Sequence, residues 1–335
     1  MSEKSESDAV SNQLQPGCKT VLVTGGAGFI GSHLILLLTA RYPLWRIINV
    51  DSLNYCSSLK NLIYLENTST YKFIQGDVCD QYFIDHIFST ENIDIVFHCA
   101  AQSHVDNSFL YPSQFMHVNA AGTTVLLQAA CKFKVEKFIY MSTDEVYGDS
   151  VDKYFDESSP KMPANPYSKS KAAAENIVMS YWRNHKLPVV IARSSNVYGP
   201  RQYYEKVIPR FIFLLQQDQK CTIQGTGLQS RHFLYVDDVT EALLMIMKRG
   251  IMGEIYNVAA NLEIAIIQLA RELVKMVKDA SNDELDDWLL FVDDRKFGIH
   301  DNPVNTDEHL YPTIKWYDEN KSYWPVVTEK ELQGC

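Results

Sequence analysis

Apolar residues follow two rhythms along this chain. Short runs rich in β-branched and aromatic residues stand at 20–24 (TVLVT), 46–50 (RIINV), 71–75 (YKFIQ), 94–100 (DIVFHCA), 137–142 (KFIYMS) and 188–194 (PVVIARS). Each stops at a glycine, an acid or a polar loop, as buried strands do. Between them apolar positions recur at helical spacing over 29–40, 81–89, 114–133 and 167–185. Strand and helix in strict alternation predict an α/β fold, a Rossmann-type doubly wound parallel sheet with helices on both faces. After about residue 199 the loops lengthen. A helix is predicted over 207–217, a strand over 221–224 and a helix over 237–249. These divide the chain into a disordered tail (1–18), a dinucleotide-binding domain (19–199, with returning segments near 232–260) and a smaller C-terminal substrate-binding lobe (200–231 and 261–335).

Composition narrows the classes of function. Forty-one acids against thirty-one bases give a net charge of -10, with no block of Lys or Arg. A sequence-independent grip on a phosphate backbone is therefore not expected, and nucleic acid is excluded as a partner. The first eighteen residues are polar and rich in Ser and Glu, with no apolar stretch of the kind a secretory leader carries. The apolar run at 34–38 is far shorter than the roughly 20 residues that span a bilayer, so no membrane segment is expected. Seven cysteines are scattered without a C-x-x-C pair, which indicates neither a disulfide framework nor a zinc site, and no metal-spaced cluster stands out. The expectation is a cytoplasmic protein with reduced thiols.

Two constellations carry chemistry. Directly after the first strand, Gly25, Gly28, Phe29, Ile30 and Gly31 stand in a glycine-rich segment that opens a helix. Such glycines permit a tight turn and a close approach of backbone to a pyrophosphate, whose charge the helix N-terminus meets. Asp51 ends the second strand, where an acid can bond the adenosine ribose hydroxyls. An acid there, in place of an arginine, favours NAD over NADP. The second constellation is Tyr167 and Lys171, one helical turn apart on one face. A tyrosine serves as a base near neutral pH only if its pKa falls by roughly 3 units. A neighbouring ammonium and a positive nicotinamide are expected to supply that drop. The hydroxyl-bearing segment 141–143 (MST) completes the Ser/Thr, Tyr, Lys trio of the short-chain dehydrogenases.

The segments TGGAGFIGSHL (24–34), AAQSHVDNS (100–108), TDEVYG (143–148), PYSKSKAAAE (166–175) and SNVYGPRQYYEKVIP (195–209) together resemble the extended short-chain dehydrogenases that modify nucleotide sugars. The likeness runs over most of 19–260. TDEVYG resembles the nucleoside-diphosphate-glucose 4,6-dehydratases, above all those acting on dTDP-glucose; related 4-epimerases and decarboxylases generally lack both acids. The resemblance implies a lyase using NAD, with a nucleotide-diphosphate sugar as substrate. NAD accepts the C4 hydride while Tyr167, with Thr143 and Lys171, takes the hydroxyl proton, Glu145 removes the C5 proton, Asp144 protonates the departing C6 hydroxyl, and the hydride returns to C6. Two close carboxyls push their pKa values apart, giving one acid and one base. Strand alternation would turn adjacent side chains to opposite faces, so both acids reach one pocket only if the strand has already broken. The resemblance further implies that Asp77 and Val78 meet the adenine, that Ala100 and Ser103 line the cofactor channel, and that His104 and Ser108 lie near the sugar. Asn196, Glu205, Lys206 and Arg231 would contact the sugar nucleotide. It implies a homodimer through the helices at 114–133 and 167–185. The UDP-glucose substrate, a 4-epimerase or decarboxylase reaction, and an NAD-binding protein with little catalysis are the alternatives.

From about Phe291 the chain departs from this pattern. An Arg-Tyr pair after His300-Asp301 and a later leucine-glycine-tryptophan segment are missing, and Arg295 is not an assured replacement. Residues 313–317 (TIKWY) look like the family's final helix. The expectation is a shortened tail, with weakened grip on the diphosphate or exposed apolar surface in the lobe.

Overall fold

The computed structural model describes residues 17–148, 155–259, 263–293 and 309–324. The first half alternates β1 (Thr20–Thr24), α1 (Phe29–Arg41), β2 (Arg46–Asp51), β3 (Tyr71–Gln75), α2 (Gln81–Glu91) and β4 (Ile95–His98). Helices α3 (Val105–Leu110), α4 (Pro112–Met116) and α5 (Thr123–Phe133) follow, then β5 (Lys137–Thr143), α6 (Pro166–His185) and β6 (Val189–Ser194). The remainder comprises β7 (Asn196–Tyr198), α7 (Val207–Gln216), β8 (Cys221–Gln224), β9 (Ser230–Tyr235), α8 (Val236–Arg249), β10 (Ile255–Val258), β11 (Glu263–Ala265), α9 (Ile266–Lys278), β12 (Leu289–Val292) and α10 (Leu310–Glu319).

The predicted doubly wound sheet is present. Seven strands lie in the order β10-β6-β5-β4-β1-β2-β3, every neighbour parallel. The chain runs outward from β1 through β2 to β3, then crosses back to β4. That places a topological switch point between β1 and β4, where ligands bind beyond the strands' C-terminal ends. The period of two sorts the central strand between two cores. Val21 and Val23 pack with Leu34, Ile35, Leu38, Leu243 and Met247 of α1 and α8, whereas Leu22 packs with Ile84, Phe88, Leu126, Leu127 and Val178 of α2, α5 and α6. Each such side chain contributes about 1.5–3 kcal/mol by leaving water.

A third core forms the smaller lobe, where Tyr198, Ile208, Phe211 and Ile212 meet Leu269, Leu273, Ile314 and Tyr317. Two small sheets support it: β11-β9-β7 and the parallel pair β12-β8. The returning strand β10 joins the large sheet beside β6.

Three departures from the sequence expectations have physical causes. The fourth strand is shorter than predicted, because residues beyond His98 leave the ladder to line a cleft. The helix expected over 114–133 is interrupted by a π-helical turn (His117–Gly122) between α4 and α5. There Asn119, buried, accepts from Gln102 N (2.8 Å) and donates to Gln102 O (3.0 Å) and Ser170 Oγ (2.8 Å), so the helix is distorted where its side chain braces the 100–104 loop. Of the lobe's short strands, β8 is the one expected over 221–224; β7, β9, β11 and β12 have no counterpart in the sequence reading. The tail expected at 1–18 falls almost wholly outside the described residues, as do Arg295, His300 and Asp301. Residues 313–317 lie within α10, whose Leu310, Thr313, Ile314 and Tyr317 are buried. Leu290, Phe291 and Val292 at the end of β12 are exposed.

Candidate active site

One cleft of about 1380 Å³ opens beyond the C-terminal ends of β1, β2, β4, β5 and β6 and runs into the smaller lobe. At its cofactor end, β1 stops at Gly25, whose φ of +71° belongs to the left-handed region. A side chain on Gly31 would place its Cβ 2.3 Å from Gly25 O, so the loop closes only around glycine. Gly28 caps α1 without a side-chain bond, and the first turn carries no acid. The amides that begin α1 are thus unclaimed by any side-chain cap, and the helix dipole favours an anion there. Asp51 receives Ala27 N at 3.0 Å and Leu53 N at 2.8 Å. Burial lifts its pKa above the usual carboxylate range, against the pull of those amides. Asp77, Val78, Ala100 and Ser103 line the same channel. These residues fit a dinucleotide: a cradle without Cβ atoms for the diphosphate, and carboxylates at the ribose and adenine end.

At the cleft's centre β5 ends at Thr143, and the chain turns into a single 3-10 turn, Asp144–Tyr147. Thr143 caps it, its Oγ1 accepting from Glu145 N at 3.2 Å. The break in the strand lets both Asp144 and Glu145 face the cavity, as the sequence required for paired acids. Asn165 Nδ2 donates to Glu145 Oε2 at 2.8 Å. The Asp144 pKa is pushed up to about 7, by burial first and then by the charge of Glu145.

The other catalytic candidates come from α6, which enters through Asn165 as cap, Pro166 in the first turn and a reciprocal capping box with Ser168. Tyr167 and Lys171 both line the cleft. Lys171 Nζ donates to Met141 O at 2.6 Å and lies 4.3 Å from the Tyr140 ring centroid. Burial lowers its pKa to about 8, and Glu175 opposes that shift. The expected drop at Tyr167 is not produced by the chain's own groups. Burial and the charges of Glu145 and Asp144 raise the phenol well above its ordinary value, with only the Thr143 hydroxyl pulling down.

Towards the lobe, His104, Asn196, Glu205, Lys206 and Arg231 all line the cleft. Lys206 Nζ donates to Ser103 O at 2.9 Å, and Tyr55 OH donates to Glu205 Oε2 at 2.6 Å. Both bonds cross from the lobe to the cofactor half. Ser108 is the exception among the predicted positions. It is fully buried on α3, its Oγ donating to Val105 O at 2.5 Å, and does not line the cleft. The helix turns that face inward, which residue identity alone could not show. Sequence reasoning overlooked Asn165 and Tyr55. Asn-Pro ahead of a helical pattern is a cap signature, but nothing in the sequence announces that the same amide would hold Glu145, and Tyr55 carries no signal at all.

A parallel sheet in this order, a glycine cradle at its switch point and a Thr, Tyr, Lys trio define the extended short-chain dehydrogenase/reductase class. The GDP-mannose 4,6 dehydratase family model matches residues 22–299. The chain is 54% identical over 330 residues to a dTDP-D-glucose 4,6-dehydratase of Bos taurus, covering 94% of this chain and 93% of the relative, and 53% identical to one of Homo sapiens, covering 94% of each. Among solved structures it superposes on DesIV, a dTDP-glucose 4,6-dehydratase of Streptomyces venezuelae with NAD bound, at a TM-score of 0.85 and 33% identity, covering 91% of this chain and 98% of that one. A UDP-glucose 4-epimerase of Thermotoga maritima matches at a TM-score of 0.81 and 28% identity, covering 90% and 100%. The chain belongs to the dTDP-glucose 4,6-dehydratase family of NAD-dependent nucleotide-sugar enzymes.

Proposed function

We propose that the cleft takes a nucleoside-diphosphate glucose beside NAD and releases the 4-keto-6-deoxy sugar nucleotide and water, with dTDP-glucose as the preferred substrate. Dehydratase-type chemistry on a nucleotide sugar is the activity of the family, and the observation that carries the reading here is the pair Asp144 and Glu145 facing one cavity beside Tyr167. A 4-epimerase has no use for two acids there. NAD held by the glycine cradle and Asp51 would supply a hydride acceptor, a positive charge and, once reduced, the hydride donor. Tyr167 takes the proton of the C4 hydroxyl, oriented by Thr143, and Lys171 supplies an ammonium at the same end of the cleft. The resulting ketone acidifies the C5 hydrogen. Glu145, steadied by Asn165, removes that proton while Asp144 gives its own to the C6 hydroxyl, so the C6–O bond breaks and water leaves. Hydride addition at C6 and reprotonation at C5 complete the product and leave no net redox change. Asp144 suits the donor role because burial and its neighbour hold it protonated up to about pH 7.

At the other end, Asn196, Glu205, Lys206 and Arg231 hold the sugar nucleotide, with the two basic groups set for its diphosphate. We also assign the division into a cofactor domain (19–199 with 232–260) and a substrate lobe, a homodimer paired through α5 and α6, and a cytoplasmic setting. No helix among the described residues is long and apolar enough to cross a membrane, and the cysteines described are unpaired.

Incubation with dTDP-glucose and, separately, UDP-glucose tests the reading. Mass analysis should find one water lost, faster from dTDP-glucose, and no loss with Tyr167→Phe or Glu145→Gln. An isomer of unchanged mass would establish the epimerase reading, and intact substrate beside retained NAD would establish a binding protein.

A further inference from the structure

A buried ionic network lies beneath the catalytic residues and is not used by the reaction as described. Arg193 of β6 and Glu175 of α6 pair with side chains 2% and 0% exposed. The contact is two-pronged, Nε to Oε1 at 2.9 Å and Nη2 to Oε2 at 2.7 Å. Ser142 Oγ adds a bond to Oε1 at 2.7 Å, and Lys161 Nζ stands 3.3 Å from Oε2. The remaining Arg193 nitrogen, Nη1, donates to Tyr147 OH at 2.6 Å, and that hydroxyl donates on to Asn257 Oδ1 at 2.7 Å. The guanidinium also lies 4.7 Å from the Tyr147 ring centroid.

Apolar side chains of like volume would hold the same space at no cost in desolvation. A forked guanidinium fixes direction, which apolar packing does not. The directions fixed here belong to two elements. Glu175 lies one turn beyond Lys171 on α6, the helix that also bears Tyr167. Tyr147 ends the 3-10 turn that bears Asp144 and Glu145.

We propose that Tyr147 and Arg193 are positioning residues for the elimination, holding the turn that carries Asp144 and Glu145 in register with the helix that carries Tyr167 and Lys171. The inference rests on the dehydratase reading above. Oxidation at C4 draws on α6, which is held by its own capping box and by Glu175 whether or not Tyr147 keeps its hydroxyl. Elimination draws on the turn, which Thr143 caps from the end of β5 and which the Tyr147 hydroxyl and the bond from Asn165 to Glu145 tie to β6 and α6. Loosening the turn should therefore slow the second half-reaction and spare the first.

Tyr147→Phe keeps the ring and the Arg193–Glu175 pair and removes only the link. With dTDP-glucose, kcat should fall by about tenfold to a hundredfold, the upper figure being what a misplacement of about 1 Å can cost, while KM and NAD retention stay near the parent's. Reduced nicotinamide, followed by its absorbance, should accumulate during a turnover, because the 4-keto sugar forms and then waits. Asn257→Ser, which shortens the acceptor on the far side of the same hydroxyl, should show the same accumulation to a lesser degree. Unchanged kcat in both variants would overturn the proposal. So would a fall in kcat with lowered melting temperature and lost NAD but no accumulation, which is what a merely structural residue would give. The parent protein run alongside separates the two readings, since failure of the parent to release water refutes the dehydratase assignment itself.

Discussion

Asp144 and Glu145 are adjacent in sequence, yet the fold gives them different surroundings. Glu145 receives an amide donor from Asn165, while Asp144 has a weak 3.4 Å contact from Thr143 and the unfavourable nearness of Glu145. Burial and that like charge place its pKa at about 7. The reaction uses the protonated form, so turnover should decline on the alkaline side as Asp144 loses its proton through about pH 7. Asp144→Asn should cost about a hundredfold or more in kcat, as loss of a general acid does, and should remove that limb from the kcat–pH profile. The linkage to stability has a definite sign. The folded value lies above the ordinary 3.8, so the stabilising contribution is whole below about pH 4 and is lost as pH rises through the folded value. Melting temperatures of the Asn variant relative to the parent should therefore improve between pH 5 and pH 8, about two units below and one unit above the folded value. A relative melting temperature that falls over this interval would contradict the assignment.

Between residue and molecule, α6 and the turn after β5 carry the residues to which the proposed mechanism assigns the chemistry. Asn165 serves both: its Oδ1 accepts from Ser168 N at 2.8 Å as the helix cap, and its Nδ2 holds Glu145. Asn165→Ala should cost about 1 kcal/mol of stability for the cap and reduce kcat. Asn165→Asp keeps a good cap but turns a like charge on Glu145, so the melting temperature should survive while turnover falls. Full activity in the Asp variant, measured beside its melting curve, would show that the bond to Glu145 is dispensable. Much of this scale was legible. Strand runs and helical spacing in the first 194 residues gave the alternation, because long elements buried on two faces repeat their period several times. The glycine segment and the Tyr167, Lys171 spacing marked the cofactor end. The π-helical turn was not legible, since 114–133 keeps its apolar spacing through a distortion created by a tertiary contact of Asn119. Nor could the sequence reveal that burial and the two neighbouring acids raise the Tyr167 phenol.

At the scale of the molecule, the cleft exists because two packed halves are tied across it. His33 of α1 meets Pro200 O at 3.1 Å, Lys206 meets Ser103 O, and Lys60 Nζ donates to Tyr323 O at 3.1 Å. Tyr323 also bonds Asn61, whose Nδ2 donates to Ala27 O in the glycine loop at 2.9 Å. The last described segment therefore braces the cofactor end from the far side. Most of the lobe's strands are only three or four residues long, too short to show a period, so of its elements the helix over 207–217 and the strand over 221–224 were legible and the other strands were not. The predicted substrate-side residues were reached through resemblance, all but Ser108 lining the cavity. What both halves serve is the claim that a hydride leaves C4 and returns to C6 of the same sugar. That claim is tested most directly with dTDP-glucose carrying deuterium at C4. The product should be lighter by one water, with the deuterium now at C6 and NAD unconsumed. Deuterium still at C4, or lost to solvent or to released cofactor, would contradict it.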